Sequence, residues 1–349
     1  MPIKNITIYN LITLRVLVAF ILSLSALMTT TFPISSFASI SKRVNKISNN
    51  SYIGILVPVS PSNYHLLTDH FIKNKTVQIE KFTYDVGHIY GVPVVLCIQP
   101  FGGVATRAIS AQLMIDNFNV KALFYPGTSG AHLPPSKMQI GDIVVGTKQV
   151  NYSNFYMSPK GIIVPDEFKG KSSLGKYLNI YINNTLERYV ACSAAAVDNK
   201  IAIPKWVNGK YSTSKPSIFY YGIQGTSTMF VADKIFVKKV NRIFHVIDGD
   251  GDWYSALVAR LSDIPFIEVS TISNSIYEYS GRGFPLREGH SQLASQIAQN
   301  IRDKIVIRII RKHGYSILNA NYKYPIRNPY PANFYLTPTN PEGITNRCN

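Results

Sequence analysis

Asn274 and the serines on either side of it follow directly on an apolar segment, Phe266 to Ile272. A short apolar segment that starts after a proline predicts a buried strand. Folds of the α/β class place their ligands beyond the carboxyl ends of such strands, so this polar triplet is a candidate functional site. The side-chain amide of Asn274 can donate or accept a hydrogen bond, but it cannot deliver a proton at neutral pH. The residues therefore indicate either a binding site or a catalytic site that lacks its acid.

A second candidate is the glycine-rich segment YPGTSGAH, Tyr125 to His132, in which two glycines flank two hydroxyl residues after an apolar strand. Glycines let a ligand approach the backbone, and the amides and hydroxyls of such a turn can bind sugar or phosphate oxygens. Taken alone, the segment fits an ordinary βα turn better than a binding turn. It lacks the lysine and the helix-opening spacing of a P-loop or a dinucleotide-binding loop, which excludes both.

The segment DGDGDW, Asp248 to Trp253, carries alternating aspartates as calcium-binding loops do. The bidentate glutamate that such a loop requires is missing, because no carboxylate occurs from Tyr254 to Arg260. The sequence therefore predicts neither a metal site nor a cofactor. His65 and His132 remain as alternative proton donors, and histidines in loops are expected at the surface.

Apolar strands alternate with helical segments from about Ser51 to Lys312, which predicts one α/β domain. The segment Ala105 to Phe118 has helical spacing, and the last helix is predicted to end at Lys312. Apolar residues recur every four positions along this last helix, which predicts a narrow stripe facing the core. The stripe consists of Leu293, Ile297, Ile301, Ile305 and Ile309. Residues 313–349 are rich in Pro, Asn and Tyr without periodicity and are predicted to form an extended tail.

The amino terminus has the order of a secretory leader. Lys4 and Arg15 precede an apolar run, Val16 to Met28, and small residues follow up to Ala38. This order predicts a signal peptide over residues 1–38, and the polar residues 39–50 after it are predicted to be mobile. The apolar run is too short to cross a bilayer comfortably, so no stable membrane span is expected.

Glycosylation and cysteine content are consistent with secretion. Sequons lie beyond the leader at Asn49, Asn74, Asn151 and Asn183 and favour a secreted glycoprotein. The sequence has 3 cysteines, too few for a disulfide scaffold. Cys97 lies in an apolar strand and is predicted to be a core thiol, whereas the sequence leaves open whether Cys192 and Cys348 pair.

The chain is basic. Its 349 residues carry 36 Lys and Arg against 19 Asp and Glu, a formal charge of +17. Such a charge favours anionic surroundings such as acidic polysaccharide, nucleic acid or membrane headgroups, or else it is scattered over a soluble basic protein. Nucleic acid is not expected as a partner, and the sequence leaves open whether the protein forms a homo-oligomer.

Five segments together resemble one family. In chain order they are IGILVPV, GTSGAH, MQIGDIVVG, STMFVAD and IPFIEVSTISN. Their order and spacing resemble the nucleoside phosphorylase superfamily, and within it 5′-methylthioadenosine/S-adenosylhomocysteine nucleosidases and the secreted bark (vegetative) storage proteins of plants. KQVNYSNFYM and SQLASQIAQNI favour the plant branch. The resemblance covers residues 52–312 and implies a single three-layer α/β/α sandwich around a mixed, partly barrel-like central sheet.

The resemblance implies a reaction in which water cleaves the bond between ribose and purine through an oxocarbenium-like state. Such a reaction needs a carboxylate that activates water and an acid that protonates the departing purine. The position of the carboxylate falls near Ser62, and the position of the acid falls on Asn274. Neither residue is acidic, and each missing group costs about 10²- to 10⁴-fold in rate.

The resemblance also implies a binding site for the nucleoside. A carboxylate that holds the ribose hydroxyls falls on Asp250, with Gly251 and Asp252 as the alternative registers. Phe230 falls at the position that stacks on the purine. The implied ligand-binding residues are Gly127, Thr128, Ser129, Gly130, Phe230, Val231, Asp250 and Ser273.

Three functions fit these residues. The first is a secreted member of the storage-protein branch with a degenerate nucleoside pocket and little or no catalysis. The second is an active nucleosidase or phosphorylase that cleaves purine nucleosides with displaced groups, Asp250 and His65. The third is a basic wall-associated protein that binds acidic polymer through KKVNR and RDKIVIRIIRKH, although such runs are also typical of a solvated helix face.

Overall fold

The computed structural model describes residues 50–58, 65–100, 103–153, 156–158, 161–163, 179–181, 184–197, 203–207, 210–228, 231, 233–278 and 289–322. The predicted signal peptide, residues 39–49, Ser62, Phe230 and the tail from residue 323 lie outside these ranges. No helix in the described part of the chain is long and apolar enough to cross a membrane.

The strands are β1 Ser51–Val57, β2 Phe71–Ile79, β3 Phe82–Ile89, β4 Val92–Ile98, β5 Asn119–Ala131, β6 Ile143–Asn151, β7 Tyr156–Ser158, β8 Gly161–Ile163, β9 Asn179–Tyr181, β10 Ile203–Val207, β11 Lys210–Ser214, β12 Ile218–Thr226, β13 Asp248–Gly249 and β14 Phe266–Ser275. The helices are α1 His65–His70, α2 Val104–Asn117, α3 Asn184–Ala195, α4 Lys234–Phe244, α5 Trp253–Leu261 and α6 Gly289–Asn319, and one 3-10 turn covers Ile276–Glu278.

The main sheet is mixed and closes on itself over part of its width. Its order is β13-β12-β6-β14-β5-β1-β4-β3-β2, and β13 pairs with β5 as well as with β12. The strands β5, β13, β12, β6 and β14 therefore form a closed ring. Outside the ring, β1 runs parallel to both β5 and β4, and β3 and β2 follow as an antiparallel edge. This confirms the predicted α/β fold with a partly barrel-like sheet.

Helices cover both faces of the sheet, as alternate residues of β1 show. Ile53 and Ile55 belong to a core cluster that contains Ile301, Ile305 and Ile309 of α6. Tyr52 and Leu56 belong to a second cluster that contains Met114 of α2 and Trp253 of α5. Because neighbouring side chains of a strand point to opposite faces, α6 lies on one face and α2 with α5 on the other.

The structure corrects two predictions for individual elements. The glycine-rich segment is not a turn: Gly127 to Gly130 continue β5, which ends at Ala131. The last helix is not limited to a narrow apolar stripe, since Arg302 and Asp303 are also fully buried. It continues to Asn319, so the segment from His313 onward begins as helix and not as extended tail.

The bonding states of the two described cysteines, Cys97 and Cys192, test part of what the sequence predicts. Cys97 is buried and free, which confirms a core thiol. Burial, with the nearby Asp85, raises the pKa of this thiol to about 12. Cys192 is disulfide-bonded, and Cys348, whose pairing with it the sequence leaves open, lies outside the described residues.

Candidate functional site

The predicted glycine-rich segment and the polar triplet lie on neighbouring strands. β14 runs parallel to β5, with Gly127 opposite Ser270 and Gly130 opposite Asn274. The register shifts between Ile272 and Asn274, so Ser273 lies at a β-bulge. A bulge turns side chains away from the regular alternation and is common beside functional sites. Two segments that are remote in sequence therefore meet at the carboxyl end of β14.

Asn274 is half-buried, and its side chain contacts that of the preceding residue, Ser273. The hydroxyl of Ser273 lies 3.1 Å from Oδ1 of Asn274 and 3.3 Å from the carbonyl oxygen of Ser129. A Cβ atom at position 130 would approach Nδ2 of Asn274 to 3.3 Å, which is tighter than ordinary contact. Gly130 therefore leaves the space in which this amide sits.

The aspartate segment reaches the same end of β5. β13 runs antiparallel to β5, with Asp248 opposite Ala131 and Gly249 opposite Gly130. Gly130 thus has β13 on one side and β14 on the other. The geometry brings together three of the segments that the sequence selects, namely those of Gly130, Asp248 and Asn274.

Asp250 follows β13 with its carboxylate exposed and its backbone in the left-handed region, at φ 78°. Aspartate is among the residues that tolerate this conformation. Its Oδ1 lies 3.1 Å from Nη2 of Arg107, and Nη1 of the same arginine donates to the carbonyl oxygen of Gly251 at 3.1 Å. One guanidinium therefore fixes both the carboxylate and the turn behind it.

The two alternative positions for the ribose-binding carboxylate, Gly251 and Asp252, differ from Asp250 in what they present to solvent. Gly251 has no side chain, and its backbone amide donates to the carbonyl oxygen of Gly225 at 2.8 Å. Asp252 is fully buried and caps α5, since its Oδ1 accepts from the backbone amide of Ser255 at 3.1 Å. Of these three positions, Asp250 alone presents a carboxylate to solvent.

Arg107 is a component of the site that the sequence analysis missed. Its guanidinium lies over the ring of Tyr125, 5.6 Å from the centroid. Burial lowers the pKa of Arg107, but Tyr125, Asp252 and further carboxylates nearby raise it more, so the side chain stays cationic. The sequence does contain a signal for Arg107, because an arginine stands in the first turn of the helix that follows the FGG segment.

Asp248 is a buried carboxyl next to the glycine-rich end of β5. Nε2 of Gln224 lies 3.4 Å from its Oδ2. Burial raises its pKa to about 8, although the side chains of Ser129 and Gln224 act in the opposite direction. At neutral pH this carboxyl therefore carries a proton for most of the time.

Glu268 is a second buried carboxyl, near the start of the apolar strand β14. The hydroxyl of Ser270 donates to its Oε1 at 2.6 Å, and the amide of Asp252 donates to its Oε2 at 2.8 Å. Burial raises its pKa well above the ordinary value. A charged residue inside an apolar strand was a visible signal that the sequence analysis did not use.

His132 is not the surface residue that the sequence predicts. Its ring is buried and meets the ring of Tyr152 edge-on, with the centroids 5.7 Å apart. Burial lowers its pKa to about 3, so the imidazole is neutral at physiological pH. The imidazolium form is therefore not a source of protons here. The side chain of His65 lies outside the described part of the chain.

The remaining predicted residues are placed only in part. Thr128 is half-buried and lies opposite Thr271 on β14, and Ser129 is buried. Val231 packs against a core cluster that includes Val150 and Tyr152. Within the described residues, no group of three or more His, Cys, Asp or Glu side chains could hold a metal ion.

Comparisons with known proteins support the fold and part of the sequence pattern. Residues 52–201 match the sequence profile of the phosphorylase superfamily. No curated protein matches the sequence at a significant level.

Solved structures share the fold at low sequence identity. The 5′-methylthioadenosine/S-adenosylhomocysteine nucleosidase of Campylobacter jejuni superposes with a TM-score of 0.54 at 18% identity, over 75% of this chain and 99% of that chain. The enzyme of Neisseria meningitidis gives 0.54 at 16% identity, over 74% and 98% of the two chains. Futalosine hydrolase of Helicobacter pylori gives 0.52 at 13% identity, over 73% and 97%. With its closed strand ring, its helical layers and the profile match over residues 52–201, the chain has the fold of the nucleoside phosphorylase superfamily.

Proposed function

We propose that the protein binds a purine nucleoside-like ligand where β5, β13 and β14 meet, and that it cleaves the glycosidic bond slowly or not at all. The observation that carries the proposal is Asn274. Its amide is half-buried, lies beside Gly130 and is within 3.1 Å of the hydroxyl of Ser273. The resemblance to nucleosidases gives this position to the acid that protonates the purine.

An amide at this position keeps part of the function of an acid. It can donate a hydrogen bond to a purine nitrogen, or accept one, and so contribute to binding. It has no proton to transfer as the glycosidic bond breaks, which removes about 10²- to 10⁴-fold of acceleration. Binding of the ligand is therefore retained, while hydrolysis is lost or slow.

Two neighbours in fold support a nucleoside as the ligand class. The Neisseria meningitidis nucleosidase is described in complex with methylthio-immucillin-A. An aspartate-to-asparagine variant of the Helicobacter pylori nucleosidase is described with 5′-methylthioadenosine in its active site. A protein of this fold can thus hold an intact nucleoside when one aspartate has been replaced by asparagine.

The biological role that we propose is that of a secreted relative of the plant bark storage proteins. The leader-like residues 1–38, the sequons and the segments KQVNYSNFYM and SQLASQIAQNI support it. Such a protein would enter the secretory pathway and reside in the cell wall or in a vacuole. It would act as a nitrogen reserve that keeps a nucleoside-binding site.

A second function, an active nucleosidase with a displaced acid, is favoured by Asp248. This carboxyl lies opposite Ala131, next to the strand pair that contains Gly130 and Asn274. Its pKa of about 8 keeps it protonated near neutral pH, as a general acid requires. Asp250 would then hold the ribose, since its carboxylate is exposed.

One experiment separates the two functions. Purified protein is titrated calorimetrically with 5′-methylthioadenosine, adenosine and inosine, and purine release is assayed with the same substrates. We expect binding of at least one nucleoside, with release at least about 10²-fold slower than by the Campylobacter jejuni nucleosidase. Fast release that Asp248→Asn abolishes would establish the second function instead. Absence of any nucleoside binding would contradict both.

A further inference from the structure

The second half of α6 concentrates positive charge on one face. From Lys304 to Asn319 the helix has four Lys and Arg residues and neither Asp nor Glu; the four are Lys304, Arg308, Arg311 and Lys312. Residues three or four positions apart lie on the same face of a helix, so these side chains are neighbours. Arg308 is half-buried, and the other three are exposed.

The helix packed beside α6 adds to this charge. Tyr189 of α3 stacks on His313, with the ring centroids 4.1 Å apart and an angle of 4° between the planes. Burial lowers the pKa of His313, and the nearby Arg188, Arg308 and Lys312 lower it further. These cations therefore surround one imidazole. We define the α6 basic face as Arg188, Lys304, Arg308, Arg311 and Lys312.

Nearby acidic residues do not neutralise this face. Asp303 is buried and paired with Arg302, whose Nη2 lies 2.7 Å from its Oδ1. Glu187 is buried, and burial raises its pKa well above the ordinary value, which favours the neutral form. Among the described residues, no ion pair reaches a member of the α6 basic face. The cations therefore repel one another and leave a strong positive potential at the surface.

The stabilising effect of cations at the end of a helix does not explain why the Lys and Arg residues lie along the second half of α6. Cations are favourable near the carboxyl end of a helix, but this effect falls off within the last turn. The helix ends at Asn319, so Lys304 and Arg308 lie more than two turns before that end. An external anion would supply the compensation that the described residues do not supply.

We propose that the α6 basic face binds a linear acidic polysaccharide whose sugars carry carboxylates. The face presents a row of guanidinium and ammonium groups along more than two turns of helix, which suits a chain with repeated carboxylates. Arginine adds bidentate recognition of individual carboxylates. This binding is separate from the nucleoside site at the ends of β5 and β14 and does not depend on it.

The surroundings of α6 favour a polysaccharide over nucleic acid. Single-stranded nucleic acid is held by bases that stack on free aromatic rings. Here Tyr189 is stacked on His313, and the ring of Tyr90 has Arg311 at 4.9 Å and His70 at 5.4 Å. Tyr189 and Tyr90 are therefore in contact with other side chains, whereas Tyr315 of α6 is 59% exposed. One such ring does not offer the succession of stacking surfaces that single-stranded nucleic acid uses.

Duplex DNA is disfavoured for a different reason. Its major groove is read by a helix that projects from the protein surface, because the groove is about 8.5 Å deep. The helix α6 is flanked by α3 and by the turn between β3 and β4, where the hydroxyl of Tyr315 donates to the carbonyl oxygen of Gly91 at 3.0 Å. It therefore lies within the surface and does not stand out from it.

The test uses soluble polygalacturonate, with dextran as the neutral polymer and single-stranded DNA as the alternative polyanion. The variant Lys304→Gln/Arg311→Gln/Lys312→Gln removes three exposed cations from the α6 basic face. Its matched control, Lys75→Gln/Lys81→Gln/Lys137→Gln, removes three exposed cations that lie outside α4 and α6, so both variants lose the same charge. Thermal unfolding checks that both variants remain folded. Calorimetric titrations are run at low ionic strength and at about 0.15 M salt.

We expect the native protein to bind polygalacturonate more tightly than DNA, and the α6 variant to bind it at least about tenfold more weakly. The control variant should stay within about twofold of the native protein, and added salt should weaken the binding. Equal losses of affinity in both variants would mean that binding depends only on net charge, and this would overturn the proposal. Absence of polygalacturonate binding, equal binding of dextran, or tighter binding of DNA that depends on α6 would also overturn it.

Discussion

Asn274 lies in surroundings that suit a hydrogen-bonding group. Ser273 is within hydrogen-bonding distance of its Oδ1, and Gly130 leaves room for the amide. These features would serve an aspartate equally well. What the residue lacks is a proton to transfer, and the resemblance also gives the position of the water-activating carboxylate to Ser62, which is not acidic. Both deficiencies act on one transition state, so their effects on the rate are not independent.

We therefore predict that Asn274→Asp restores little purine release, because water remains unactivated. The double variant with Ser62→Glu should release purine faster than either single variant. Initial rates with 5′-methylthioadenosine measure this. The matched control is Asn319→Asp with Ser316→Glu, two exposed positions on α6 that receive the same chemical changes. A double variant no faster than this control would contradict the assignment of the two positions.

Arg107 contributes more than an ion pair. It contacts the carboxylate of Asp250, the carbonyl oxygen of Gly251 and the ring of Tyr125, whereas Asp250 is largely exposed. We predict that Arg107→Ala lowers the free energy of unfolding by about 1–3 kcal/mol, because Asp250 and Gly251 lose a charged donor and the buried Asp252 loses a nearby cation. Asp250→Asn should cost less than about 1 kcal/mol, as expected for an exposed pair, because asparagine also tolerates the left-handed backbone at this position. Urea unfolding of both variants gives the comparison. Equal costs would mean that the arginine acts only through Asp250.

At the scale of elements, the sequence predicts what depends on local pattern. The helix predicted from Ala105 to Phe118 is α2, Val104–Asn117, because its apolar spacing is undisturbed. The strand predicted from Phe266 is β14, although it continues to Ser275. The glycine-rich segment was misjudged because glycines indicate a turn when read alone. Its strand conformation comes from pairing with β14 and β13, which are remote in sequence.

The same distinction between local sequence pattern and contacts of remote segments applies to the candidate site. Gly130, Asp250 and Asn274 were identified from family resemblance and short motifs. Arg107 was not, because its partners Asp250 and Gly251 come from a distant segment. The raised pKa of Asp248 was equally inaccessible, since burial by surrounding strands causes it. Interactions between remote segments cannot be inferred from periodicity.

Strand context also distinguishes the sequons. Asn74 lies on the exposed edge strand β2, where the pairing with β3 is interrupted between Lys73 and Lys75. Asn151 is buried in β6, and its Oδ1 accepts from the amide of Ser153 at 2.9 Å. If the chain is secreted by a eukaryotic cell, we predict a glycan on Asn74 and none on Asn151. Mass spectrometry of the secreted protein measures this, with Asn74→Gln and Asn151→Gln as the paired variants. A glycan on Asn151 of folded protein would contradict the described packing.

For the whole molecule, buried ionisable groups set how stability depends on pH. Asp248 has a folded-state pKa of about 8, above that of the unfolded chain. Its contribution to stability is complete below the unfolded pKa, near pH 4, and is lost as the pH rises through 8. His132 acts in the opposite sense, because burial lowers its pKa from 6.5 to about 3. Its contribution becomes complete about one pH unit above 6.5, so its titration opposes that of Asp248 only in the lower part of the range from pH 6.5 to 8.

We predict that the free energy of unfolding falls as the pH is raised from 6.5 to 8, by at most about 1.4 kcal/mol per pH unit for each such carboxyl. Asp248→Asn keeps an acceptor for Gln224 but cannot ionise, so the fall should be shallower in this variant. Asp263→Asn removes an exposed carboxylate outside the site and should keep the slope of the native protein. Urea unfolding of the three proteins at both ends of this range measures the slopes. An unchanged slope in Asp248→Asn would mean that other groups, such as the buried Glu268 and Glu187, carry the dependence. Because the net charge is +17, the measurements should be made at constant ionic strength, so that screening of surface charge does not vary with pH.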